Sequence, residues 1–170
     1  MEQTGRVVET LYLWGISMIE LSIETKLYIE ARGLPTEEIL MASFFPMDEF
    51  YETVFENEKY LVVAYDDSDD SEIGINEYGN VYLFGWFGNS IGNSKIYVSR
   101  SLVQFIKLLL TYQSFRPLLV NCSEEKLKTH TSKFRKMIEH IDKTALKNSE
   151  TYWSGILEHM CMYPPDKLLW

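Results

Sequence analysis

The chain has 170 residues, 46% hydrophobic and 24% charged, with a net charge of −9. That length suits one domain with a core of its own, and 1–170 is read as a single domain. An excess of carboxylates is repelled by phosphate backbones, which argues against direct nucleic-acid binding.

The two cysteines, Cys122 and Cys161, are too few for a disulfide framework and suit the reducing cytoplasm. The opening MEQTGRVVETLYLWG lacks the apolar stretch of a secretory signal. Nothing approaches the roughly 18 consecutive apolar residues that span a bilayer. A cytoplasmic protein without membrane association is the expectation. Aromatics reach 14%, with 11 Tyr, 9 Phe and 4 Trp. Large rings fill sheet-on-helix cores, and they also furnish binding surfaces.

In chain order, ISMIELSIETKLYIEA (16–31) places Ile16, Ile19, Ile23, Leu27 and Ile29 close to helical spacing, while its β-branched content leaves a strand open. GLP at 33–35 breaks that segment, and Thr36 is positioned to cap a short turn through EEIL. An antiparallel meander follows. YLVVAYD (60–66) is β-branched and aromatic, and SEIGINE (71–77) alternates apolar and polar residues. YGN (78–80) is a turn, and NVYLFGWF (80–87) and SKIYVS (94–99) are further strands separated by GNSIGN. Short turns between successive strands imply antiparallel pairing.

The remainder reads as helical. Ser99 or Ser101 caps LVQFIKLLLTY, and Pro117 ends that region. Ser123, followed by Glu124 and Glu125, opens a second helix with a stripe of Leu127, Phe134, Met137, Ile138 and Ile141. A third, about 150–162, turns Trp153, Ile156, Leu157 and Met160 inward and stops before PP at 164–165. Strands in one block and helices in the next give an α+β fold: a meander sheet of four or more antiparallel strands with N-terminal and C-terminal helices.

The densest chemical feature is DDSDDSE at 66–72. With Asp66 as the first position of a twelve-residue calcium loop, Ser68, Asp70, Glu72 and Glu77 fall on ligand positions. Ser71 stands where that loop needs glycine, however, and strands flank it instead of helices. Carboxylates at an exposed hairpin tip, with no nearby histidine or lysine partner, do not form an acid–base pair. His130, His140 and His159 match no zinc spacing, and Gly85, Gly88 and Gly92 form no phosphate cradle. No catalytic residue, metal or cofactor is assigned.

Two readings of the acidic run stay open: a solvated turn, or part of a face for a basic partner. The acidity extends through Asp48, Glu49, Glu52, Glu56 and Glu58 to Glu77, with Lys59 as the only base, whereas KLKTHTSKFRK is basic. Such segregation steers an oppositely charged partner. The partner-binding candidates are Asp66, Asp67, Asp69, Asp70 and Glu72 with the rings of Tyr82, Phe84 and Trp86. Val81, Leu83 and Phe87 occupy the opposite strand face, and either set is a candidate for the core.

GLP (33–35), YLVVAYDDSDDSEIGINEYGNVYLF, YVSRSLVQFIKLLLTY and WSGILEHM (153–160), in that order, resemble the SUKH superfamily, in the branch of immunity proteins of bacterial polymorphic toxin systems. The resemblance spans about 33–160. It implies an α+β fold without enzymatic activity that binds and neutralises a toxin domain, commonly a nuclease or nucleic-acid deaminase, in the cytoplasm. An acidic inhibitor covering a basic toxin surface accords with the charge pattern. A regulatory protein–protein interaction module of the same superfamily is the alternative, and a metal-dependent hydrolase a third.

Overall fold

The computed structural model describes residues 19–40, 42–66, 71–85 and 94–162. Helix α1 (Ile23–Arg32) starts where Ser22 Oγ accepts a hydrogen bond from the Thr25 N–H, and it ends at Gly33, whose φ of +74° suits a residue without Cβ. The helical alternative therefore holds over 23–32. Its buried positions are Thr25 and Ile29, and Ile23 and Leu27 of the expected stripe are exposed. No helical turn follows Thr36. Instead Leu40 takes a positive φ, and Ile39 bridges to Ala42.

Among the described residues six strands form one antiparallel sheet: β1 (Ala42–Phe44), β2 (Tyr51–Phe55), β3 (Glu58–Asp66), β4 (Ser71–Asn76), β5 (Val81–Gly85) and β6 (Ser94–Ser99). The expected meander corresponds to β3–β6, and β1 and β2 are additional. Both additional strands lie along one edge of β3, with Ala42–Phe44 opposite Asp66–Ala64 and Tyr51–Phe55 opposite Val62–Glu58. Residues 46–50 loop out between them around a 3-10 turn at Met47–Glu49. The β2–β3 hairpin closes through Glu56 and Asn57, both at positive φ, as a two-residue turn of matching twist requires.

A bulge in β3 between Val62 and Ala64 decides which side chains face which way. Strict alternation would leave Tyr65 on the face of Leu61 and Val63. The extra residue turns both Val63 and Ala64 into the core, Tyr65 to the opposite face and Asp66 inward, opposite Ser71.

Helices cover one face of the sheet. Helix α2 (Leu102–Leu119) is capped by Ser101, whose Oγ accepts from the Gln104 N–H. It buries residues around most of its circumference, as a central helix does. Pro117 does not end it: the proline removes one N–H bond to the preceding turn, yet the helix runs two residues further, where buried Leu119 holds the last turn against the core. Helix α3 (Glu124–Ile141) is capped by Ser123 and buries Leu127, Thr131, Phe134 and Ile138, with Met137 of the expected stripe exposed. Helix α4 (Tyr152–Met162) buries Trp153, Leu157 and Met160. Phe134 joins the three helices, with Tyr112 and Trp153 at ring centroid distances of 5.8 and 6.1 Å. No helix among the described residues is long and apolar enough to cross a membrane.

Ser99 has a different task from capping. Its hydroxyl donates to the buried carboxylate of Asp142, which also accepts from the Arg100 N–H and from the N–H and hydroxyl of Thr144. This carboxylate fastens the β6–α2 junction to the end of α3. Burial pushes its pKa up, but the four hydrogen bonds more than offset that and hold it below the usual carboxylate value. Asp142 therefore stabilises the fold fully above its unfolded pKa of about 4, and that stability is lost as pH falls through the lower folded value. Asp142→Asn is expected to lower unfolding free energy at pH 7 by about 2 kcal/mol, the range for hydrogen bonds to a charged group. Urea denaturation should show the gap to wild type closing toward pH 3, and a pH-independent gap would contradict this role.

Candidate functional site

The face of the sheet away from the helices carries a smaller apolar layer of its own. Tyr60, Val62 and Phe84 are buried there, with Phe45, Phe55 and Tyr82 packed around them. The Phe84 ring lies 4.6 Å from Tyr60 and 5.2 Å from Phe55, centroid to centroid, and Tyr82 meets Tyr60 and Tyr97 edge-on. Gly74, at the centre, is what lets these rings lie flat on the strands. A Cβ there would stand 2.8 Å from Phe84 Cε1 and 3.1 Å from Tyr60 Cβ.

Two groups of rings and carboxylates occupy this face. In the first, Lys95 Nζ lies 2.8 Å from Glu58 Oε2, 5.3 Å from the Tyr82 ring centroid and 5.9 Å from that of Tyr60. Tyr60 donates its hydroxyl to the same Glu58 carboxylate. Burial, and then the bond to Glu58, push the Tyr60 pKa up to about 12. The hydrogen bond from Lys95 lowers the Glu58 pKa, and the same bond raises that of Lys95. In the second group, Tyr65 and Glu72 are cross-strand partners and Tyr51 donates its hydroxyl to Glu72. Phe45 sits between Tyr51 and Tyr65, with centroids at 5.9 and 5.3 Å. Burial and the Glu72 bond push the Tyr51 pKa up to about 12. Tyr51 is nevertheless 41% exposed and Tyr65 38%.

The expected partner-binding residues divide accordingly. Glu72 and Tyr82 lie on the aromatic face, half-buried. Phe84 lies on it too, but at 1% exposure it is a core ring and not a contact residue, a correction that follows from the second apolar layer. Asp66 is also corrected: the β3 bulge turns it inward, and it is 6% exposed instead of standing at a solvated tip. Asp67, Asp69, Asp70 and Trp86 lie outside the described residues. The residues that bound their segments do come together, since Asp66 pairs with Ser71, and Gly85 pairs with Ser94 while lying against Ser71. Val81 and Leu83 belong to the helix-covered core.

Sequence reasoning counted Glu58 in the acidic stretch but missed Phe45, Tyr51, Tyr65 and Lys95 as parts of this face. Alternation in YLVVAYD could have placed Tyr60 beside Val62, but no local signal announces the bulge that brings Tyr65 out. Acidic side chains fringe the face at its β2 edge: Asp48, Glu49, Glu56 and Glu58 are exposed, and no lysine or arginine occurs from 33 to 58. Exposed Lys126, Lys128, Lys133, Arg135 and Lys136 lie on α3. What the arrangement offers is a preformed sheet surface with tyrosine rings, carboxylates and a negative border.

Comparison of the chain with protein-family models, with curated proteins and with solved structures finds no match.

Gly74→Ala is expected to destabilise the protein by about 1–3 kcal/mol, the range for overpacking. The near-ultraviolet circular dichroism of the tyrosines should change with it. Unaltered stability and spectrum would mean that Tyr60 and Phe84 do not rest on that glycine.

Proposed function

We propose that this chain is a non-enzymatic immunity protein of the cytoplasm, which binds a basic toxin domain and occludes its working surface. The observation that carries the reading is the sheet face that no helix covers among the described residues, with accessible tyrosines beside carboxylates and an acidic margin. A net charge of −9 suits a target that is itself built to grip nucleic acid. The SUKH resemblance supplies the same expectation independently of charge. Rigid rings give contact area at small entropic loss, and carboxylates supply orientation and encounter rate.

The decisive experiment is co-expression with the toxin domain of a secreted protein encoded beside this chain. Stable co-purification and restored growth of toxin-expressing cells are expected; growth arrest with no complex would refute the assignment.

The acidic segment has its own test. Asp67, Asp69 and Asp70 are replaced together by Asn, and Asp66 is left intact because it is buried. The association rate at low salt should fall several-fold, with a weaker salt dependence and little change in dissociation. A rate indifferent to both mutation and ionic strength would remove the segment from the steering role.

A further inference from the structure

We propose that Phe45, Tyr51, Tyr65 and Glu72 form a slot for one guanidinium or ammonium group, filled in the complex by an arginine or lysine side chain of the basic partner. The inference rests on the reading of the chain as a binder of a basic protein and names a specific contact within it.

The same sheet face shows what such a constellation holds. Further along β3, the strand that carries Tyr65, a carboxylate bonded by a tyrosine hydroxyl, Glu58 with Tyr60, stands beside a second ring, Tyr82, and the trio holds the Lys95 ammonium. Glu72 with Tyr51, beside Tyr65 and Phe45, repeats those parts. Among the described residues no lysine or arginine lies over the Phe45, Tyr51 or Tyr65 ring, and none forms an ion pair with Glu72. A cation is attracted to a ring face by its quadrupole and to the carboxylate by charge. The Tyr51 hydroxyl already donates to one carboxylate oxygen, Oε1, so it fixes the group while the other oxygen can accept from a ligand. The exposed tyrosines set entry from solvent, and the flat guanidinium suits stacking on Tyr65 with one edge toward Glu72.

The first test uses the full chain with tyrosine rings isotopically labelled. The peptide acetyl-Gly-Arg-Gly-amide and its citrulline counterpart, equal in shape but uncharged, are titrated in at millimolar concentration and followed by NMR. Saturable shifts confined to Tyr51 and Tyr65 are expected from the arginine peptide only. Affinity should fall at least fivefold in Glu72→Gln and in Tyr65→Leu, each first shown to keep the wild-type unfolding midpoint. Tyr65→Phe, which keeps both the ring face and the packing, should retain binding, and loss of binding in it would overturn the slot. Equal shifts from both peptides, or shifts unaffected by Glu72→Gln, overturn the slot. The slot and the toxin reading separate cleanly. Arginine binding without any toxin complex would sink only the latter. A toxin complex whose affinity is unchanged by Glu72→Gln would sink only the former.

Discussion

Among the described residues the sheet has two apolar faces, and helices lie on one of them. Val81, Leu83, Ile73 and Ile75 go under α2 and its neighbours, whereas Tyr60, Val62 and Phe84 point the other way. An uncovered apolar face on a sheet invites edge and face association. Here the strands cover it with their own side chains. Gly74 leaves a hollow, Phe84 and Tyr60 fill it, and Phe45, Phe55 and Tyr82 close the sides. Rings suit this layer because each carries a large apolar area on few rotatable bonds. The tyrosines then end in hydroxyls that reach carboxylates at the rim, so one layer of residues serves as core below and as polar surface above.

That solution has a consequence for binding. Tyr60 and Phe84 are locked between neighbours, so the more exposed rings beside them inherit a rigid floor. Phe45, Tyr51 and Tyr65 are held by one another and by Glu72, and little conformational freedom is left to lose when a partner arrives. On the helical side the equivalent fastening is Asp142. It ties the end of β6 to the end of α3 and thereby sets how the helices lie across the sheet. Its role is architectural, and it lies on the helical side of the molecule from the rings.

Much of this architecture was legible in the sequence. Ser101 and Ser123 mark helix starts, Gly33 marks an end, and the alternation in SEIGIN fixes the faces of β4. Three things were not legible, each for a physical reason. The strands β1 and β2 are short and interrupted by Pro46 and a 3-10 turn, so neither shows a period long enough to read. The run LVVA is apolar at every position and is compatible with either facing, so hydrophobicity does not reveal the bulge that sends Asp66 in and Tyr65 out. And Ser99, sequence-adjacent to a helix start, is claimed instead by a carboxylate 43 residues away. In the candidate site, charge and ring content were visible, but the pairing of a particular ring with a particular carboxylate depends on strand register, which composition does not encode.

Charge and rings then divide the work of recognition between them. The stretch from 33 to 58 has carboxylates and no base, and it borders the same edge of the sheet as Tyr51. Long-range attraction from that border acts before contact and is weakened by salt over a Debye length of about 10 Å. Ring stacking and a carboxylate held in place by Tyr51 act only at contact, where water is excluded and the same charges count for more. A partner surface with many positive charges would be drawn in by the first effect whatever its shape. Only one that can place a cation at the Glu72 position while seating apolar surface on Tyr65 would stay, so selectivity resides in geometry and not in net charge.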